Sequence, residues 1–199
     1  MTERIYAKAE LVDDYLNQLV KKGVKKLGQG QDALVFQHPT LSNVVVKLCR
    51  MESASVLWAR VCIQHASSNP WLPRIHGIYS CKLRNSKDTY NGFRKISALI
   101  FSEKLSSASA PDIEKALGKP LFDFLAEEDM EDAFKNRPDP GLRLVKAILT
   151  KIKDPKLVEA VLLLSRRPPK VLNDLGKKNY MRRGHQVVFN DPWFRWKYD

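Results

Sequence analysis

Three polar residues near the end of the chain have the types and order that phosphoryl transfer calls for: Asp174 in LNDLGKKN, Asn179 five residues on, and Asp191 in VVFNDPW twelve residues later. Moving a phosphoryl group needs one carboxylate near the attacking hydroxyl and two oxygen ligands for magnesium. Asp174 suits the first task, Asn179 and Asp191 the second. Far upstream, LGQGQDALVF sets Gly28 and Gly30 between two apolar runs, and Lys47 closes the valine run of NVVVKL. Glycines let backbone amides approach a phosphate without side-chain clash, and a lysine at the end of a buried strand carries its ammonium inward.

The elements that must position these groups can be read in order. Residues 7–22 (AKAELVDDYLNQLVKK) have Leu11, Val12, Tyr15, Leu16 and Leu19 at helical spacing, with Gly23 as a stop. Three strands follow near 24–28, 33–37 and 43–48, with HPTLSN as the turn between the last two. From Glu52 to Ala66 the chain lacks Gly and Pro and keeps Val56, Leu57, Ala59, Arg60 and Ile63 in helical order, so a helix is expected up to Asn69–Pro70. RIHGIYSCKL and KISALIFSEKL read as two further strands around the polar loop RNSKDTYNGF, which makes a five-stranded sheet with one inserted helix.

After Glu103 the small polar stretch SSASAPD marks a lobe boundary, dividing the chain into 1–104 and 105–199. The second part reads as helices broken at Gly118–Pro120, Pro138–Gly141 and Asp154–Pro155. Beyond RRPP, the runs NYMRR and HQVVFN meet at Gly184 as a hairpin, with Asn179 before the first and Asp191 after the second. The expected fold class is α+β: a bilobal arrangement with a five-stranded antiparallel sheet and a short, mostly helical second lobe.

Thirty-four Lys and Arg against 22 Asp and Glu give 199 residues a formal charge of +12, which favours acidic partners or a well-solvated surface. The basic clusters are spread along the chain, so direct contact with nucleic acid is the less favoured reading. Cys49, Cys62 and Cys81 form no CxxC pair and no even set, and read as reduced core residues of an intracellular protein. The four histidines lack paired metal-ligand spacing. MTERIYAK has no apolar leader, and the apolar runs are too short to span a bilayer, so a cytoplasmic protein is expected. Oligomeric state is not legible.

On LGQGQDALVFQHPTLSNVVVK and NDLGKKNYMRRGHQVVFNDP the chain resembles the protein-kinase fold, and within it the small early serine/threonine kinases of podoviruses. The resemblance implies ATP and magnesium as cofactors and host proteins as acceptors or targets, some of them associated with nucleic acid. It implies Gly28 and Gly30 over the phosphates, with Ala33 where a third glycine would stand, Val35 over the adenine and Lys47 on the phosphates. Phe101, Glu103 and Leu105 would belong to the hinge, with Phe101 behind the adenine. Asp174 would be the catalytic carboxylate, and Asn179 and Asp191 the metal ligands. Kinases pair such a lysine with a glutamate on the following helix; Glu52 is the one acid between Lys47 and Asp88, and it falls at the helix start.

The chain departs from that pattern at several places. Leu172–Asn173 replace the His-Arg before the aspartate, Gly176 stands where a lysine is common, and Asp191–Pro192–Trp193 lacks the usual glycine. Eight residues follow Asp191, without an activation segment. Three readings therefore stand: a minimal protein kinase, a catalytically weak kinase-like module that blocks a host factor, and a small-molecule kinase of the aminoglycoside phosphotransferase type. All of them require Lys47, Asp174, Asn179 and Asp191 to meet at one triphosphate.

Overall fold

The computed structural model describes residues 24–29, 33–49, 53–80, 98–126, 149–166, 171–173 and 179–195. The expected helix over 7–22 and the break at Pro138–Gly141 lie outside these residues. The chain divides into two compact units, one of residues 1–63 and 74–104, the other of 64–73 and 105–199.

The first unit is built on a five-stranded antiparallel sheet of β1 (Lys26–Gln29), β2 (Ala33–Gln37), β3 (Val44–Cys49), β4 (Ile75–Ser80) and β5 (Ala98–Glu103), in the order β1-β2-β3-β5-β4. β3 lies at the centre, and all six of its residues are buried. Its near-continuous valines fit a strand covered on both faces. Helix α1 (Ala54–His65) follows β3. Its Val56 and Ala59 pack with Ala33, Cys49, Ala98 and Ile100 in one buried cluster. Those four sheet residues share a face, because directly paired residues point the same way and the side-chain period is two.

In the second unit, α2 (Ala110–Leu117) begins at a capping box: the Ser109 side chain accepts from the Asp112 N–H, and the Asp112 carboxylate accepts from the Ser109 N–H. Gly118 ends it, and α3 (Lys119–Ala126) follows directly. Asp154 caps α4 (Pro155–Ser165), whose Leu157, Ala160, Val161 and Leu164 form a buried stripe at helical spacing. The breaks expected at Gly118–Pro120 and Asp154–Pro155 are thus helix boundaries.

The hairpin of β8 (Tyr180–Arg183) and β9 (Gln186–Phe189) turns at Gly184, whose φ of 60° suits the first central position of a two-residue hairpin turn. Two pairings were not legible from local pattern. The short β6 (Ser106–Ser107), inside the stretch read as a polar boundary, pairs with β8. β7 (Val171–Asn173) pairs antiparallel with β10 (Trp193–Arg195). The segment 64–73 is stitched into this unit through its backbone: the Phe189 N–H donates to the Trp71 carbonyl at 2.8 Å, and the Arg183 guanidinium donates to the carbonyls of Pro70 and Leu72 at 3.1 and 3.0 Å.

Candidate functional site

The sequence-predicted residues fall into two sets, one in each unit. In the first, the strand registers align Gly28, Val35, Lys47, Ile100 and Ile78 as a row across all five strands. Paired positions share a face, so Gly28, Val35 and Lys47 stand side by side on the face that also carries α1. Lys47 is buried, at 7 % exposure. Burying an ammonium is costly unless opposite charge or hydrogen bonds meet it. A Cβ placed on Gly28 would meet nothing within 4 Å, which leaves room over that end of the row. Gly30 and Glu52 lie outside the described residues.

Phe101 is placed differently from the expectation. It pairs with Val46, one residue from Lys47, and therefore belongs to the opposite face of the sheet. There its ring meets His38 at 5.9 Å and the edge of Tyr79 at 5.3 Å. Burial lowers the His38 pKa, because desolvation disfavours the imidazolium. On the Lys47 face the corresponding residue is Ser102, buried opposite Val45 and Ile75. Strict alternation along ALIFSE, counted from Ile100, was the signal that could have found it.

The strand end beyond Ser102 is tied down by its own backbone. The Glu103 N–H donates to the Arg74 carbonyl at 3.0 Å, the Arg74 N–H donates to Glu103 Oε1 at 2.7 Å, and the Lys104 N–H donates to the Asn43 carbonyl at 2.7 Å. A base recognised along this segment has to use its carbonyls or the N–H of Leu105. Leu105 itself is half-buried and belongs to the second unit.

In the second unit the hairpin brings Asn179 and Asp191 to one end. Tyr180 pairs with Phe189, and just outside that pair the Asn190 N–H donates to the Asn179 carbonyl at 2.9 Å. Asp191 is the next residue. It is half-buried, and its Oδ1 is shielded from solvent. Two further residues on, Trp193 pairs with Asn173, and its indole N–H donates to the Leu164 carbonyl at 3.2 Å. Pro192 restricts φ at its own position, and both it and the Trp193 indole are buried.

Asp174 lies outside the described residues, but both of its described flanks are anchored at this end. Asn173 is paired to Trp193, and Asn179 is bonded to Asn190. Behind the hairpin, Phe189 packs with Tyr180 and Trp71 at ring separations of 5.5 and 6.1 Å. Burial pushes the Tyr180 phenol well above its usual range, so it stays protonated and serves as packing.

The carboxamide of Asn179 and the carboxylate of Asp191 are hard oxygen donors of the kind magnesium takes alongside substrate phosphates. Among the described residues no group of three His, Cys, Asp or Glu could hold a metal by itself. That donor set fits an ion whose remaining ligands come from a nucleotide.

The two units define an α+β protein with a five-stranded antiparallel sheet and one packed helix. No family model matches the chain, and no curated protein matches it either. Among solved structures it is similar to a thermostable mutant of the aminoglycoside phosphotransferase APH(4)-Ia in ternary complex with AMP-PNP and hygromycin B, at 12% identity and a TM-score of 0.44, over 92% of this chain and 72% of that one. The streptomycin–ATP complex of APH(2")-IIa is similar at 16% identity and a TM-score of 0.36, over 96% of this chain and 73% of that one. The GDP and kanamycin complex of APH(2")-IIia gives 14% identity and a TM-score of 0.38, over 93% of this chain and 73% of that one. No described helix is long and apolar enough to cross a membrane.

Proposed function

We propose that the protein is an ATP-dependent phosphotransferase that moves the γ-phosphate to a hydroxyl group, in the first instance a serine or threonine of a host protein. The observation that supports this reading is the hairpin end, where the Asn190 N–H donates to the Asn179 carbonyl and Asp191 is the next residue. In this reading Asp174 accepts the proton of the attacking hydroxyl as that oxygen bonds to the γ-phosphorus, and the bond to the β–γ bridging oxygen breaks. Asn179 and Asp191 hold magnesium, which when bound neutralises charge on the phosphates. Lys47 would supply an ammonium to phosphate oxygens and Gly28 and Val35 would cover the nucleotide, roles supported by the three residues sharing one row of the first unit's sheet. Ser102 shares the Lys47 face and Phe101 does not, so in this reading Ser102 would stand on the base side.

The protein acceptor and the phage context are supported by the two motif blocks alone. A small-molecule hydroxyl is the second reading, since a lysine, a carboxylate and two oxygen donors for magnesium would serve any hydroxyl acceptor alike. One experiment separates them. Full-length protein is incubated with γ-labelled ATP and magnesium, with either bacterial lysate protein or kanamycin as acceptor, beside Asp174→Ala and Asp191→Ala. Label on protein that both substitutions abolish is the expected result, and label on kanamycin alone moves the assignment to the second reading. No label on either acceptor, with nucleotide binding retained, leaves the module that binds and blocks a host factor.

A further inference from the structure

We infer that one end of the first unit's sheet is a docking surface for an acidic protein segment with an apolar centre. Backbone hydrogen bonds run along this end strand by strand: Gln37 N–H to the Lys25 carbonyl, His38 N–H to the Val44 carbonyl, Lys104 N–H to the Asn43 carbonyl, and Glu103 N–H to the Arg74 carbonyl. They gather Lys25 and Lys26 at the β1 side and Lys104 and Arg74 at the β5 and β4 side, all exposed. At about 4.8 Å per strand the two basic pairs stand roughly 14–19 Å apart.

Among the described residues, charge here is one-sided. The described residues of the first unit carry Lys25, Lys26, Lys47, Arg60, Arg74 and Lys104 against Glu103 alone, and the Glu103 carboxylate already accepts the Arg74 N–H. Among the described residues no carboxylate pairs with the side chains of Lys25, Lys26, Arg74 or Lys104, and Lys26 donates only to the neutral Gln29 amide. A protein far from neutral uses such a field to draw in and orient a partner of opposite sign.

The apolar groups at the same end choose the partner class. Leu27 on β1 is 39 % exposed and Leu41 in the β2–β3 turn is 46 % exposed, and only Ile63 joins them as exposed large hydrophobics among the described residues. Leu27 adjoins the first basic pair, and Leu41 lies on the turn between the two pairs. A charged rim around an apolar centre is the anatomy of a protein interface. A nucleic acid instead asks for cations that follow a phosphate backbone and for aromatic faces on which bases stack. Among the described residues the aromatic rings nearest this end, His38 and Phe101, pack against one another at a tilt and are half-buried.

The test measures binding of three fluorescent probes to the full chain at low salt: a peptide alternating Glu and Asp with Leu, polyglutamate of equal charge, and oligo(dT) of equal charge. The mixed peptide should bind tightest. Its affinity should fall at least about tenfold when Lys25, Lys26, Arg74 and Lys104 are all changed to Glu, and severalfold in a Leu27→Ser, Leu41→Ser variant. A control carrying Lys115→Glu, Lys119→Glu, Lys151→Glu and Lys153→Glu changes net charge equally and should bind nearly as the parent does. Replacing the four rim cations by Gln repeats the test without introducing repulsion, and circular dichroism verifies folding of each variant. Equal loss in the control, tighter binding of oligo(dT), polyglutamate binding as tightly as the mixed peptide, or no binding of the peptide would each overturn the inference.

Discussion

The two units handle charge in opposite ways. In the second, four cations are engaged locally: Lys119 pairs with Asp123 at 3.2 Å, Lys156 with Glu159 at 3.1 Å and Arg182 with Asp112 at 3.3 Å, while Arg183 caps backbone carbonyls. In the first, one cation is buried within a valine-rich strand, and among the described residues no carboxylate pairs with Lys25, Lys26, Arg74 or Lys104. Exposed pairs of the former kind contribute little to stability, about 0–1 kcal/mol each. Among the described residues the second unit sets nine cations against six acids, and the first sets six cations against Glu103 alone, so the balance is more one-sided in the first. The lesson is that a uniformly basic composition can still build two electrostatically different surfaces.

The sharpest test of this contrast compares Asp191→Ala with Lys47→Met. Each should lower phosphotransfer by about a thousandfold, equivalent to about 4 kcal/mol of transition-state stabilisation. Yet Lys47→Met should leave the thermal transition in place, because an apolar side chain of similar length suits a buried strand. Radiolabel transfer and differential scanning calorimetry on the same samples check both halves. Global unfolding of Lys47→Met would make the lysine structural and erase the difference between the units.

Trp71→Ala comes next. The indole is nearly fully buried, donates to Asp154 Oδ2 at 2.8 Å and packs on Phe189, so its loss should cost about 3–5 kcal/mol in denaturant titration. Because Phe189 pairs with Tyr180 next to Asn179, metal-dependent nucleotide binding should weaken together with stability.

Ser109→Ala removes the side-chain acceptor from the capping box and should cost about 1 kcal/mol by the same titration, with activity unchanged. The smallest effect is acid dependence. The Ser109 hydroxyl and N–H, and more weakly Arg182, hold the Asp112 carboxyl below its ordinary value of 3.8. A depressed carboxylate stabilises above its unfolded pKa and loses that contribution as pH falls through the folded value. Melting temperature should therefore decline below about pH 4, and Asp112→Asn should flatten that decline.

Much of the frame was legible because each element is locally self-consistent. The valine run of β3, the Gly- and Pro-free stretch of α1, the Asp154–Pro155 helix start and the Gly184 turn each announce themselves within a few residues, and the observed bounds fall within a residue or two of those expected. The five-stranded sheet follows from counting such runs. Short pairings were not legible: Ser106–Ser107 joins a sheet only because β8 presents an edge to it, and Trp193–Arg195 becomes a strand only opposite Val171–Asn173. Three-residue stretches carry no period of their own.

The amino-acid order by itself determined which residues could do chemistry, Lys47, Asp174, Asn179 and Asp191, since residue type and spacing are properties of the chain. Tertiary structure decided which of them share a face. A one-residue step along β5 moves a side chain to the other side of the sheet, so Ser102 and not Phe101 stands with Lys47. It also set Asn179 against Asn190, the residue before Asp191, because antiparallel pairing returns the chain to where it started.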